Sequence, residues 1–149
     1  MDEKDRKIIK LLQENSRRPF TEIAEKLDVS EATIRKRVQE LEKEGIIQKY
    51  TLKVKPEKLG YDAVTLLGLD VEPEKLLRVT ETIKSMKEVK NVSICTGDHM
   101  VMAKIWANDN EHLNEIISKK IGKIEGVKDL CPAIIMEEVT EEKNNHSKT

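Results

Sequence analysis

The spacing of apolar residues changes near residue 46, and this change limits what the chain can fold into. Before it, apolar residues recur every three or four positions, as in amphipathic helices. After it, short apolar segments typical of strands alternate with helical ones. A chain of 149 residues has room for one large domain or two small ones. We therefore predict an α+β protein with a helical N-terminal domain over residues 1–54 and a mixed domain over residues 63–139.

Three helices are expected within the first 45 residues. Acidic residues open the first one, where the helix dipole favours negative charge. Thr21 is the expected N-cap of the second helix, and a tight turn follows it at Asp28. The third helix is predicted to run from an N-cap at Ser30 to residue 44, with Gly45 closing it. A short turn between the second and third helices is typical of a helix-turn-helix.

The remaining elements follow from the same patterns. Residues 46–54 are a β-rich stretch that completes the first domain, and the Pro- and Gly-containing residues 55–62 are a linker. The second domain is predicted to contain four strands, at residues 63–71, 89–96, 100–107 and 130–139, and two helices, at residues 74–87 and 111–121. Residues 140–149 are polar and are expected to form a disordered tail.

An internal repeat indicates how the second domain is connected. The segment Val89-Lys90-Asn91-Val92 resembles Val127-Lys128-Asp129-Leu130. Two similar β-α-β units in tandem predict the ferredoxin-like β-α-β-β-α-β plan, an antiparallel sheet with both helices on one face. The other face meets either solvent or a second copy of the chain. Self-association is the favoured alternative, because large exposed apolar patches usually mark interfaces.

Composition excludes several classes of protein. Charged residues reach 37%, but 27 basic and 28 acidic side chains nearly cancel, so the chain is not a strongly basic binder of polyanions. No apolar stretch is long enough for a membrane span, and the start lacks the apolar segment of a signal peptide. The two cysteines form neither a disulfide framework nor a metal site. These features predict a cytoplasmic protein without a membrane partner or a cofactor.

The predicted third helix has one apolar face and one polar face. At 100° per residue, the apolar stripe consists of Ile34, Val38 and Leu41. The opposite side carries Ala32, Lys36 and Gln39, flanked by Thr33 and Arg35, while Arg37 leans toward the core and is expected to meet a phosphate or an internal carboxylate. Small, hydroxyl, amide and cationic groups are those that reach base edges and phosphates. The candidate DNA-binding residues are therefore Ser30, Glu31, Ala32, Thr33, Arg35, Lys36, Arg37 and Gln39. The alternative is a merely solvated helix with mixed charge.

Several segments of this sequence resemble the Lrp/AsnC (feast/famine) family of transcriptional regulators. In the first half they are Asp5-Arg6-Lys7-Ile8-Ile9, Leu12-Gln13-Glu14-Asn15-Ser16-Arg17, Glu22-Ile23-Ala24, Val29-Ser30-Glu31-Ala32-Thr33-Ile34, Arg37-Val38, Leu41-Glu42-Lys43-Glu44-Gly45-Ile46-Ile47, Tyr50-Thr51 and Lys58-Leu59-Gly60-Tyr61. The second half is similar in plan to that family's effector-binding and oligomerisation domain. The resemblance implies a prokaryotic regulator that binds double-stranded DNA, dimerises through its C-terminal sheets and assembles further into tetramers or octamers. It also implies an amino-acid effector bound between dimers.

The resemblance places the effector site at the turn Thr96-Gly97-Asp98-His99-Met100. The family's turn typically reads Gly-Asp-x-Asp, so Gly97 and Asp98 match it and Met100 replaces the second acidic residue. A glycine in a tight turn exposes backbone N–H groups to a carboxylate, and Asp98 suits an ammonium group. The alternatives are an ordinary hairpin turn, a different ligand or no ligand. For His99 the alternatives are a ligand contact, a pH-sensitive group and an exposed side chain.

The expected function is therefore that of a sequence-specific DNA-binding transcriptional regulator modulated by an amino acid or a related small effector. One alternative is an effector-independent, architectural DNA-binding protein with low sequence specificity. An enzyme is the other, but the sequence shows neither an acid/base pair nor a nucleophile motif for it.

Overall fold

The computed structural model describes residues 1–139, and the predicted tail over residues 140–149 lies outside them. The described residues form two compact units, residues 1–53 and 54–139. No helix within residues 1–139 has the length and apolar character needed to cross a membrane.

The first unit consists of three helices, as predicted: α1 (Glu3–Glu14), α2 (Phe20–Leu27) and α3 (Glu31–Lys43). Isoleucines form its centre: Ile8, Ile23 and Ile34, one on each helix, are fully buried. Burying three such side chains contributes roughly 1.5–3 kcal/mol each. The apolar stripes of the three helices therefore form one shared core.

The helix ends follow the predicted signals except at α2. Ser30 caps α3 by accepting a hydrogen bond from the Thr33 N–H at 3.2 Å. Asp28 adopts the left-handed conformation (φ 52°) that makes the predicted tight turn before α3. The prediction that Thr21 caps α2 is wrong, because Pro19 occupies the cap position and the helix begins at Phe20, two residues earlier than a cap at Thr21 would place it. The Pro19 carbonyl accepts hydrogen bonds from the Glu22 and Ile23 N–H groups, and no side chain caps this end.

The predicted β stretch over residues 46–54 is also wrong for the chain described here. None of residues 46–54 belongs to a strand. Its apolar residues recur at every second position as in a strand, but none of them is buried, since Tyr50 is 51%, Leu52 80% and Val54 38% exposed. A strand is completed only by a neighbouring strand that accepts and donates its backbone hydrogen bonds, and the described residues offer none to this segment.

The second unit has the predicted ferredoxin-like plan. Its strands are β1 (Ala63–Val71), β2 (Val89–Ile94), β3 (Val101–Ala107) and β4 (Val127–Ile134), and its helices are α4 (Leu76–Lys84) and α5 (Asn110–Glu115). The strands form an antiparallel sheet in the order β2-β3-β1-β4. Pro132 lies in β4, at an edge of the sheet, where its missing N–H is tolerated.

Several predicted ends differ from those observed. The last strand begins at Val127, directly after Gly126, and ends at Ile134, which lies opposite Thr65 of β1. A 3₁₀ turn, Pro73–Lys75, replaces the first residues of the predicted fourth helix. The fifth helix continues as a π-helical turn, Ile116–Ile121, which widens the spacing of inward residues.

One face of the sheet carries both helices, as predicted. Every second residue of β3, from Val101 to Ala107, is fully buried against Val79 and Ile83 of α4 and Ile116. The same alternation holds in β1, where Leu67 and Leu69 are fully buried. The even-numbered residues of β1 therefore lie on the face that the two helices leave open. That face is called the open face below.

Candidate nucleic-acid interface and effector turn

Helix α3 buries one stripe and exposes the other. Ile34, Val38 and Leu41 are at most 3% exposed, as the helical spacing predicts. Their burial fixes the rotation of the helix about its own axis, because turning it by even one residue would bring a charged side chain into the core. The polar side of α3 is thereby directed outward.

The outward side presents three groups free to contact a partner. Ala32, Lys36 and Gln39 are all exposed. Within residues 1–139, neither the Lys36 ammonium nor the Gln39 amide is engaged by another side chain. A methyl group, a cation and a hydrogen-bonding amide thus lie along one line of the helix, where they can reach into a DNA groove without breaking internal contacts.

The other candidate residues at the start of α3 are held by local contacts. The Arg35 guanidinium donates to Glu31 at 2.6 Å and lies 5.5 Å from the centre of the Phe20 ring. The Thr33 and Ser30 hydroxyls are 2.8 Å apart. These contacts stiffen the first turn of the helix, and they leave Arg35 exposed at its edge.

Arg37 pairs with internal carboxylates, one of its two expected partners. Its Nη1 atom donates to Asp2 at 2.7 Å and to Asp5 at 2.8 Å, which ties α3 to the start of α1. The Asp5 backbone N–H and the Arg37 guanidinium lower the pKa of Asp2 to about 2. The two carboxylates in turn raise the pKa of Arg37.

The Asp2 pair predicts a specific acid sensitivity. Because the pKa of Asp2 falls from 3.8 to about 2 on folding, its charge stabilises the fold above about pH 4, and this stabilisation disappears as the pH falls toward 2. Asp2→Asn keeps an N-cap oxygen but removes the charge. We expect wild type to be more stable than this variant at pH 6 and the difference to vanish near pH 2, measured by denaturant unfolding. A difference that stays constant down to pH 2 would contradict the ion pair.

The turn between β2 and β3 is open to solvent at its tip. The Cys95 N–H donates to the Met100 carbonyl at 2.9 Å and closes the turn. Gly97 has φ +124°, a conformation that other residues rarely adopt, and apart from its chain neighbours no atom of the described residues lies within 4 Å of where a Cβ would be. Thr96, Gly97 and Asp98 are all exposed. The backbone and carboxylate at the tip are thus accessible to a ligand.

The other two residues of the predicted effector set point elsewhere. The Met100 side chain packs against the core, and its N–H donates to Asp70 Oδ1 at 3.3 Å. The His99 Nδ1 atom lies 3.4 Å from Asp70 Oδ2, and its ring covers Gly68. Sequence reasoning missed Gly68 and Asp70, because they precede the turn by about 30 residues and only strand pairing brings them beside it.

The open face carries a mixed set of side chains. Leu66 is 38% exposed there. Trp106, on the same face of the sheet, is half-buried, with its ring 5.5 Å from the Tyr61 ring and 5.3 Å from the Lys90 ammonium. Such aromatic and aliphatic groups are typical of the surfaces through which proteins associate.

Comparison with known proteins agrees with both units. The model of the AsnC-type helix-turn-helix domain matches residues 1–42, and that of the Lrp/AsnC ligand binding domain matches residues 64–144. The chain is 52% identical to the HTH-type transcriptional regulator LrpA of Pyrococcus horikoshii over 93% of its length and 99% of that protein. It is 53% identical to LrpA of Pyrococcus abyssi over 92% of its length and 97% of that protein.

A solved structure shows the same fold. Escherichia coli AsnC superposes with a TM-score of 0.81 at 26% identity, covering 93% of each chain. The two family models describe an AsnC-type helix-turn-helix domain and an Lrp/AsnC ligand-binding domain, and both relatives are named HTH-type transcriptional regulators. The chain therefore belongs to the Lrp/AsnC family of DNA-binding transcriptional regulators, a family whose members oligomerise.

Proposed function

We propose that this regulator recognises specific DNA sequences as a dimer or larger assembly, and that an amino acid or related small molecule modulates the assembly. The observation that carries the proposal is the outward side of α3, where Lys36 and Gln39 are exposed and unengaged by other described side chains while Ile34 and Val38 are buried. The first turn of α3, Ser30 to Thr33, and Arg35 complete the proposed contact surface. Arg37 supports it indirectly, through Asp2 and Asp5.

Sequence discrimination is proposed to come from the outward groups together. An amide such as that of Gln39 can pair in a bidentate manner with adenine, and a lysine ammonium can bind guanine or a phosphate. The Ala32 methyl suits the methyl group of thymine. Each good base contact contributes about 1–3 kcal/mol of discrimination, so one helix alone gives modest specificity.

The remaining affinity and specificity are proposed to come from association of two or more copies of the chain. Two copies joined through their open faces would present two α3 helices to two half-sites, and their separation would select operators of matching spacing. Leu66 and Trp106 are the apolar groups of this proposed interface. Two linked modules bind far more tightly than one, since the second binds intramolecularly. Tetramers or octamers would extend the same principle to several sites.

The effector is proposed to bind at the tip of the β2–β3 turn. The exposed backbone at Gly97 suits a carboxylate, and Asp98 suits an ammonium group, the two charged ends of an amino acid. A ligand that prefers one assembly over another shifts the population between them, and so changes which operator spacing fits.

Selection from random DNA duplexes, repeated with each of the twenty amino acids, tests the proposal. We expect a defined sequence with paired half-sites, and a change of its spacing or enrichment with at least one amino acid. The alternative architectural role predicts little base preference, with a specificity ratio below about 10³ over random duplex. Such a ratio, unchanged by any amino acid, would replace the proposal with that alternative.

Asp98→Ala is expected to abolish the response of assembly and DNA binding to the amino acid found by this selection. The substitution removes the carboxylate proposed to bind the ammonium group, and Asp98 is exposed, so the fold should persist. Sedimentation and DNA titration with and without the amino acid measure the response. Asp62→Ala is the matched control, because it removes an exposed carboxylate elsewhere in the same unit. A full response in the Asp98 variant would remove this residue from the site.

A further inference from the structure

We propose that His99 is a positioning residue: its ring, seated on Gly68 and paired with Asp70, fastens the effector turn to β1. These three residues are called the latch. The inference rests on the proposed effector function and assigns His99 a structural role in it, in place of direct contact with the ligand. It also makes Gly68 and Asp70 parts of the site that the turn sequence does not contain.

The His99 ring packs directly against Gly68. Gly68 lies within β1 on the open face, yet it is buried, and the three atoms nearest to the position of a Cβ there all belong to the His99 ring. A methyl group at position 68 would lie 2.7 Å from His99 Cγ, closer than real side chains approach. Gly68 has no positive φ, so the strand itself would accept alanine. The glycine is therefore explained by the space that the ring of His99 occupies.

Asp70 holds the same turn at two adjacent points. Its Oδ2 atom faces the His99 ring nitrogen at 3.4 Å, and its Oδ1 atom accepts the Met100 N–H at 3.3 Å. Both side chains of the pair are largely shielded, with 31% exposure for Asp70 and 28% for His99. The Asp70 carboxylate therefore fixes the orientation of the His99 ring through one oxygen and the position of the Met100 backbone through the other.

The latch acts on a turn that has little other support. Within residues 1–139 the space where a Cβ of residue 97 would stand is open, and Thr96, Gly97 and Asp98 are exposed. Fixing His99 and Met100 therefore restricts the conformations available to the tip, which lowers the entropy that a ligand must remove on binding. Because the ring lies on the open face, the latch also connects the turn to the surface through which we propose that the chain associates.

A double-mutant cycle with Gly68→Ala, His99→Ala and the double variant tests the latch in the full-length protein. The readout is hydrogen exchange of the Cys95 and Met100 amides without any ligand, so it is independent of whether an amino acid binds. Each single variant should raise these exchange rates by roughly tenfold or more, as expected for a local opening. The double variant should exchange no faster than His99→Ala alone, because alanine at position 68 is harmless once the ring is gone.

Additive effects of the two substitutions, or unchanged exchange in His99→Ala, would overturn the proposal. Core amides of β1, such as that of Leu67, should keep their protection in every variant. If Gly68→Ala does not fold, Asp70 carries the test: Asp70→Asn keeps an acceptor oxygen and should retain most of the protection, whereas Asp70→Leu should lose it. Equal exchange in these two variants would also overturn the latch. If hydrogen exchange follows the expected pattern but no amino acid changes assembly or DNA binding, only the proposed effector function is refuted.

Discussion

Replacing Lys36 with alanine is expected to weaken binding to a selected duplex by about 1–3 kcal/mol, or roughly fivefold to 150-fold. The side chain is exposed on the outward side of α3, and no other side chain of the described chain engages it. Alanine favours the helix at least as well as lysine does. The reduction should therefore fall on DNA affinity, while helicity and assembly mass stay unchanged. Titration at several salt concentrations measures it, since removing a cation that binds a phosphate lowers the salt dependence by about one ion.

Lys123→Ala is the matched control for this experiment. Lys123 is an exposed lysine of the second unit, so its removal changes the net charge equally without touching α3. Its variant should bind as wild type does apart from a small electrostatic change. If the Lys36 variant binds the duplex as tightly as the Lys123 variant, the assignment of the outward side of α3 as the DNA interface is wrong.

Replacing Leu67 with alanine is expected to cost the second unit about 2–5 kcal/mol of its free energy of unfolding. The side chain is fully buried against the helices, and its removal leaves a cavity that the packed core cannot refill. This is a large share of the about 5–15 kcal/mol that stabilises a typical domain. Denaturant unfolding followed by circular dichroism measures the destabilisation.

Leu66 supplies the comparison, because it is the same residue type one position away on the other face of β1. It is 38% exposed in the single chain, so Leu66→Ala should cost about 1 kcal/mol or less in the unfolding of a monomer. We expect this variant instead to weaken self-association, which sedimentation over a range of protein concentrations would show. If Leu66→Ala leaves assembly intact, the open face is not the interface.

Most of the fold could be predicted from local patterns. The spacing of Ile34, Val38 and Leu41 identified the inner side of α3, because a helix repeats every 3.6 residues whatever surrounds it. Ser30 and Gly45 marked the limits of that helix through backbone chemistry that is equally local. The repeat in the second half predicted the β-α-β-β-α-β order of the strands and helices along the chain.

The predictions that were wrong concern the ends and pairing of elements, which depend on the residues and strands beside them. Thr21 is of a residue type that caps helices, but α2 begins after Pro19, whose carbonyl accepts the first helical hydrogen bonds. Residues 46–54 have the alternation of a strand, but pairing needs a second strand that no local pattern provides. The limits of β4 are those of its pairing with β1, with Val127 opposite Val71 and Ile134 opposite Thr65.

The sequence by itself determined the helices and the outward side of α3, because each depends on residues that lie within a few positions of one another. It also determined the order of the strands, through a repeat along the chain. Only the tertiary structure decided that Arg37 pairs with Asp2 and Asp5, and that His99 rests on Gly68 beside Asp70. These contacts join residues about 30 positions apart. The spacing of residue types along the chain does not show which residues that far apart come into contact. The packing of the helices and the register of the strands decide it.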